Sequence, residues 1–389
     1  MASTTDSALT VVLAGGGTAG HIEPALAVGE VLRNRYGAKV LAVGTSRGLE
    51  SDIVPARGFP LELITPVPVP RRINADLFAL PFKVLRSIRQ ARKILKKNRA
   101  DAVFGTGGYV SASAYLAAKS LGIPFYVLET NALAGMANKM GVRLGGTGFN
   151  AIEGSGMKGD IVGIPVRPQL AGGDPSGEKA ARARELFSLV ADRPTILVTG
   201  GSQGAASINA AVAGSIDRLV DAGYQVLHAY GKKNEPPREH AHYVSLPYIE
   251  DMAAALAVAD LVVCRSGAMT VAEVSASGLP AIYVPLPHGN GEQGLNCEAV
   301  VAEGAARKID DAGFSPDVMH DAVTSILGDD ATYRQMRTAA AASEQGDAAW
   351  RLAERIIFDR SVNPSRNAPA EDPEEESASA SANDTKNAR

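Results

Sequence analysis

Short uncharged apolar runs recur along the chain. Each is followed by a glycine or polar turn and then by a longer stretch with helical spacing. Val11-Val12-Leu13-Ala14 is the first such run. An apolar run with no polar face reads as a strand covered on both sides, as in parallel sheets. In the first half the pattern predicts strands over 10–14, 39–43, 61–64, 102–104, 125–128 and 161–163. It predicts helices over 23–34, 49–56, part of 74–98, and 110–121. Pro81 is expected to break or kink the third helix. Ile164-Pro165-Val166-Arg167-Pro168 then reads as an extended hinge, and 171–178 as loop. The pattern restarts with strands over 195–199, 225–229, 243–245, 260–264, 281–284 and 306–309, with helices between them.

Strands alternating with helices predict two doubly wound α/β domains, 1–167 and 168–344, whose strand-end loops would border a cleft. A last amphipathic helix over 345–360 carries Trp350, Leu352, Ile356 and Ile357, and is expected to pack back on the first domain. Residues 361–389 turn to Pro, Ser, Ala and Asn with an acidic cluster, and read as a disordered tail.

Composition changes this picture little. The chain has 389 residues, 46% apolar and 21% charged, with a net charge of -3. That balance gives no global attraction to nucleic acid, and none is expected as a partner. Cys264 and Cys297 form neither a disulfide framework nor a zinc pattern, and are expected to be small buried residues. Residues 1–8 lack the basic start and apolar core of a signal peptide. No apolar run approaches the ~20 residues of a membrane span. The chain is expected to be cytosolic, in contact at most with a membrane surface.

The candidate chemistry lies where strands end. Gly15-Gly16-Gly17-Thr18-Ala19-Gly20-His21 follows the first strand, and Gly200-Gly201-Ser202-Gln203-Gly204-Ala205 opens the second domain. A glycine turn feeding a helix N-terminus converges backbone N–H groups on an anion. Gly15-x-Gly17-x-x-Gly20 matches the dinucleotide fingerprint. That fingerprint needs an acid at the end of the second strand, where Gly44-Thr45-Ser46-Arg47 stands, with Glu50 and Asp52 in the next helix. A dehydrogenase is therefore disfavoured. His21 reads either as a general base or as a residue that packs the loop. Gly107-Gly108-Tyr109 and Glu129-Thr130-Asn131 join it at neighbouring strand ends.

In the second half, Cys264-Arg265-Ser266-Gly267-Ala268-Met269-Thr270-Val271-Ala272-Glu273 turns a strand into a helix. Ser266 is expected to cap it. The amides of Ala268, Met269 and Thr270 suit a diphosphate, and Glu273 could hold both hydroxyls of a ribose or simply complement the helix dipole. One unit later, Gln293 and Asn296 could bond sugar hydroxyls. Between 71 and 99 ten basic residues are interleaved with apolar ones. This segment reads either as a face for an anionic leaflet or as a solvated basic helix.

These motifs, in this order, resemble the MurG family of peptidoglycan synthesis. The likeness runs to about residue 360. It rests on Gly16-Gly17-Thr18-Ala19-Gly20-His21, Gly107-Gly108-Tyr109, Glu129-Thr130-Asn131, Gly163-Ile164-Pro165-Val166-Arg167, Gly200–Ala205 and Cys264–Glu273. Ala19, Thr130, Ile164 and Glu292 depart from the family's usual residues. The resemblance implies two Rossmann-like domains in the B-type glycosyltransferase fold. It also implies transfer of GlcNAc from UDP-GlcNAc to lipid I on the cytoplasmic face of the bacterial plasma membrane. No metal is expected to be needed.

By the same likeness the donor would meet Thr18, Ala19, Gly20, Asn131, Arg167, Ser202, Ile249, Ala268, Met269, Thr270, Glu273 and Gln293. Gly16, Gly17, Gly107, Gly108 and Tyr109 would line the acceptor diphosphate, with His21 as base. Phe78, Phe82, Leu85, Arg86 and Arg89 would touch the membrane. Partners would be lipid I, an anionic membrane surface and proteins of division or wall synthesis. The alternatives are a UDP-GlcNAc 2-epimerase-like enzyme of the same fold and a non-catalytic nucleotide-binding scaffold.

Overall fold

A computed structural model describes residues 8–67, 75–167, 170, 177–201, 203–288, 291–342 and 348–362. Side chains are described except at 75–79, 361 and 362. The described residues form two compact units. One holds those up to Leu128, Gly135–Phe149 and those from Leu352 to Val362; the other holds Glu129–Ala134 and those between Asn150 and Arg351.

The first half of the chain runs β1 (Thr10–Gly15), α1 (Ala19–Tyr36), β2 (Lys39–Gly44), α2 (Glu50–Ala56), β3 (Leu61–Leu63), α3 (Ala75–Lys97), β4 (Ala102–Gly107), α4 (Gly108–Leu121), β5 (Phe125–Glu129), α5 (Met136–Arg143), β6 (Thr147–Asn150) and β7 (Asp160–Ile161). Its sheet has the order β3-β2-β1-β4-β5-β6-β7. The pairs β1·β2, β1·β4, β2·β3 and β4·β5 are parallel. Strand order reverses between β1 and β4, so the loops leaving those two strands flank the switch point where ligands bind in such sheets.

The rest runs α6 (Glu178–Phe187), β8 (Thr195–Thr199), α7 (Ala206–Asp221), β9 (Gln225–Ala229), β10 (Tyr243–Leu246), α8 (Met252–Val258), β11 (Leu261–Cys264), α9 (Ala268–Ala276), β12 (Ala281–Tyr283), α10 (Glu292–Asn296), α11 (Glu298–Ala302), β13 (Ala306–Lys308), α12 (Pro316–Leu327), α13 (Asp330–Ala341) and α14 (Ala348–Val362). The second sheet is β10-β9-β8-β11-β12-β13, parallel throughout. Its switch point lies between β8 and β11.

Successive strand residues face opposite ways. Leu197, Val262 and Ile282's neighbours Ala281 and Tyr283 enter one core with α6, α8 and α9. Ile196, Val198, Val263 and Ile282 enter the other with α7 and α12. Both faces are covered, which is why these strands read as unbroken apolar runs. In α14, Leu352, Ala353 and Ile356 are buried, and the Tyr126 hydroxyl donates to Asp359.

Two expectations need correction, and one strand was not expected. The strand expected over 161–163 is the two-residue β7, because Gly163 has φ +83, outside any extended conformation. Helix α3 continues through Pro81. An interior proline loses one N–H bond and crowds the carbonyl one turn earlier, but the rest of the helix is held by Ser87, Ala91 and Leu95, buried at successive turns, with Ser87 Oγ 2.8 Å from Ser113 Oγ of α4. Strand β6 gave no signal, since Thr147-Gly148-Phe149-Asn150 has one large apolar residue.

Candidate active site

At the first switch point, β1 ends at Gly15 and Gly17 turns the chain at φ +89. Only glycine adopts that conformation without cost. Thr18 is the N-cap of α1, and its carbonyl accepts from His21 N–H at 3.1 Å. The N–H groups of Ala19 and Gly20 precede the first intrahelical bond. Thr106 Oγ1 donates to the His21 carbonyl. The imidazole lies over the β4–α4 turn: a Cβ added to Gly107 would stand 2.8 Å from His21 Cε1, and one on Gly108 3.7 Å from Cδ2. Side-chain-free backbone is therefore required where the ring rests. The turn is fixed from below by the buried Ser111 hydroxyl, which accepts from Gly107 N and has the carbonyls of Ala14 and Gly107 as acceptors in reach of its one proton.

The strand-end acid judged absent from the sequence is present in space. Glu50 opens α2 and is fully buried. Its carboxylate accepts from Thr45 N at 2.8 Å, Thr45 Oγ1 at 2.8 Å and Gly17 N at 3.0 Å. The dinucleotide reading still fails, for a different reason: these oxygens are committed to the protein and are not presented to a ribose.

At the second switch point, Gly267 rather than Ser266 is the N-cap of α9. Ser266, expected as the cap, stands one residue before that position and is fully buried. Ala268, Met269 and Thr270 form the first turn. Glu273 stands on the second turn, and Arg167 Nη2 approaches its Oε1 at 3.4 Å. Ile164 and Val166 pack with Ala268 and Ala272, so the hinge sequence sits against the start of this helix. The departure Ile164 is thus a core residue, buried at 6% exposure.

Arg265, just before α9, was not singled out from the sequence. Its guanidinium donates to the carbonyls of Val284 and Pro285 and to Asp311, which also accepts from Ser207. Burial opposes the Asp311 charge, yet these two donors hold its carboxyl below the usual range. One residue thereby joins the ends of β11 and β12 to the start of α7.

Asn296 is not placed for a sugar. It is buried, accepts from Ala132 N at 2.9 Å and donates to the Ser266 carbonyl at 3.2 Å. It ties the 129–134 segment to the loop before α9. In that segment Asn131 donates both its backbone and side-chain N–H to Glu129 Oε1, at 2.9 and 3.1 Å. Gln293 is half-buried on α10, and its Oε1 accepts from Leu286 N at 3.0 Å. Ile249 lies in the loop after β10 with its side chain in the core. Ser202 and the Phe78 side chain fall outside the described residues.

On α3, Phe82 is 77% exposed and Leu85 44%, with Arg86 and Arg89 exposed beside them at helical spacing. Among the described residues no helix is long and apolar enough to cross a membrane.

Comparisons with known proteins agree with this geometry. The glycosyltransferase family 28 N-terminal domain matches residues 11–145, and the family 28 C-terminal domain matches 195–352. A UDP-N-acetylglucosamine–N-acetylmuramyl-(pentapeptide) pyrophosphoryl-undecaprenol N-acetylglucosamine transferase of Corynebacterium efficiens is 64% identical over 345 residues, covering 89% of this chain and 96% of that protein. The transferase of the same name from Corynebacterium glutamicum strain R is 61% identical over 349 residues, covering 90% and 98%. A crystal structure of Acinetobacter baumannii MurG superimposes with TM-score 0.69 at 29% identity, over 90% of this chain and 99% of that one. A UDP-N-acetylglucosamine 2-epimerase structure aligns with TM-score 0.63 at 15% identity over 92% of this chain and 98% of that one, and shares the fold alone. The paired glycine loops, the α9 terminus with Glu273, and these relatives together make the chain a member of the MurG family of glycosyltransferases.

Proposed function

We propose that the chain transfers GlcNAc from UDP-GlcNAc to the 4-hydroxyl of the MurNAc residue of lipid I, giving lipid II with inversion at the donor anomeric carbon. The C1–O bond to the diphosphate breaks as the acceptor O4–C1 bond forms. His21 takes the proton from O4, and UDP departs with the electron pair. Such a displacement needs a base and charge stabilisation of the leaving group.

The carrying observation is α9. Its first turn, Ala268–Thr270, lies at the second switch point, and Glu273 follows one turn later. Backbone amides and the helix dipole would bind the departing diphosphate, while Glu273 would hold the ribose. The backbone at Ile249 would read the uracil, with Ser202 on the diphosphate. Arg167, Asn131 and Gln293 would meet the donor sugar. Because Gln293 Oε1 already accepts from Leu286, its amide N–H₂ is the group offered to a hydroxyl. In the first unit Thr18, Ala19 and Gly20 would offer the backbone amides at the start of α1 to the donor. The loops of Gly16, Gly17, Gly107, Gly108 and Tyr109 would receive the acceptor diphosphate, and the Gly17 N–H already bound to Glu50 contributes shape rather than a donor.

The lipid acceptor gives the exposed Phe82, Leu85, Arg86 and Arg89 stripe a purpose. It would rest the enzyme on the cytoplasmic leaflet as a peripheral protein, beside other proteins of wall synthesis and division. Nothing beyond the shared fold favours an epimerase. Transfer of labelled GlcNAc from UDP-GlcNAc to a short-chain lipid I analogue tests the proposal. Release of free sugar or epimer without acceptor, and no disaccharide with it, would overturn it.

A further inference from the structure

Glu50 belongs to no part of the reaction described above, yet three glycines are shaped around it. A Cβ on Gly44 or Gly48 would collide with its side chain, and one on Gly16 would stand 3.1 Å from Oε1. A carboxylate fully removed from water is costly unless its oxygens are bonded. Here Oε2 accepts from Gly17 N, and Oε1 accepts from both the N–H and the hydroxyl of Thr45. The same Thr45 hydroxyl lies 3.1 Å from the hydroxyl of Tyr109. One buried side chain thus joins the loops leaving β1, β2 and β4. Two of those loops carry His21 and the Gly107–Tyr109 turn on which its ring rests.

We infer that Glu50 is a positioning residue for the transfer reaction. Through Gly17 it fixes the turn that presents His21, and through Thr45 it fixes Tyr109. The sugar-transfer reading of the first unit underlies this inference. The loop is a nest of amides of the kind that binds phosphates, but its Gly17 amide is filled by the protein's own carboxylate. That keeps the turn in one geometry whether or not an anion is bound, and reserves the remaining first-turn amides for substrate. A hydroxyl shared between a carboxylate and a phenol also has a defined direction: Thr45 Oγ1 donates to Glu50, so Tyr109 donates to Thr45. Tyr109 then keeps its oxygen lone pairs facing outward while its proton is held inward.

The test uses the full chain, UDP-GlcNAc and a short-chain lipid I analogue, with rates expressed per folded molecule well below the melting temperature. Glu50→Gln places an amide N–H₂ against either Gly17 N–H or Thr45, so one bond is lost at nearly unchanged volume. We expect kcat to fall about 100-fold, the scale of an ångström-sized misplacement of reacting groups, with UDP affinity within about twofold. Thr45→Val removes the shared hydroxyl and should lower kcat in the same direction; Thr45→Ser restores it and should recover most of the rate. A role in stability alone would lower the melting temperature and leave kcat per folded molecule unchanged. Active wild type with Glu50→Gln within about threefold in kcat overturns the inference. If Glu50→Gln does not fold, Thr45→Val decides: a rate equal to that of Thr45→Ser overturns it, and a loss reversed by serine supports it. Wild type that transfers no GlcNAc would instead overturn the underlying reading.

Discussion

Arg167 Nη2 stands 3.4 Å from Glu273 Oε1, and both side chains are largely buried, at 24% and 16% exposure. Charge-assisted bonds of this kind close to about 2.7–2.9 Å when they are strong. The pair is therefore long. Replacing Glu273 by alanine should raise the Kd for UDP about 10- to 100-fold, the value of losing bonds to a charged acceptor. Glu273→Gln keeps one acceptor oxygen and should fall between. Calorimetric titration with UDP checks this, and an unchanged affinity for the alanine variant would end the ribose assignment.

His21 is anchored through its backbone, which leaves two of its bonds independent of the ring. Thr106 fixes its carbonyl, Thr18 accepts its N–H, and the imidazole lies on glycine backbone. Truncating the ring should leave the loop intact. His21→Ala is expected to lower kcat about 100- to 10,000-fold, the usual contribution of a positioned base, with UDP affinity unchanged. Steady-state transfer to a lipid I analogue measures it. Turnover near that of wild type would show that another group takes the proton.

The parts of this structure legible in the sequence are those written in local pattern. Strands such as β8 and β9 are apolar on both faces, so they stand out as runs. The glycine loops stand out because a tight turn into a helix needs particular residues at fixed spacing. What stayed hidden depends on side chains reaching across the fold. Glu50 lies in α2 by sequence, but its carboxylate reaches back to Thr45 and across to Gly17, 33 positions away. Asn296 looks like a sugar ligand by its neighbours, yet Ala132, 164 positions earlier, takes its oxygen. Arg265 stands inside a quoted motif but was given no role, because its partner Asp311 lies 46 positions on. The one local error at the site, Ser266 as cap, is a shift of one residue, since the helix begins after Gly267.

The α3 surface makes a separate prediction about location. Its buried face is Ser87, Ala91 and Leu95, which leaves Phe82, Leu85, Arg86 and Arg89 turned outward. Arg92 is less available, since it donates to Ser120 on α4. Changing Arg86, Arg89 and Lys93 to glutamine should weaken binding to anionic vesicles by about 3 kcal/mol, near 1 kcal/mol for each cation. Phe82→Ser should weaken it further and at all salt concentrations, whereas the arginine effect should fade as salt rises. Cosedimentation with vesicles of phosphatidylglycerol checks both. Equal binding by all variants would make α3 an ordinary solvated helix.

The second unit carries an acid sensitivity at His228. This imidazole is 1% exposed on β9, with Nδ1 2.8 Å from the Tyr243 hydroxyl and Nε2 3.1 Å from Asn209 Oδ1. Burial disfavours the charged ring and lowers its pKa to about 4. In the unfolded chain the same group takes a proton near pH 6.5. The unfolded state therefore binds more protons between those values. The stability from keeping the ring neutral is full above about pH 6.5 and declines as pH falls toward about 4. A shift of this size corresponds to about 3 kcal/mol over the whole range. His228→Gln retains a donor and an acceptor but cannot titrate. It should be less stable at neutral pH through poorer packing, yet lose less stability on acidification. Urea unfolding of both proteins at steps from pH 7.5 to 4.5 measures the two slopes. Parallel slopes would mean that His228 is already open to protons in the folded state, in conflict with its burial between Tyr243 and Asn209.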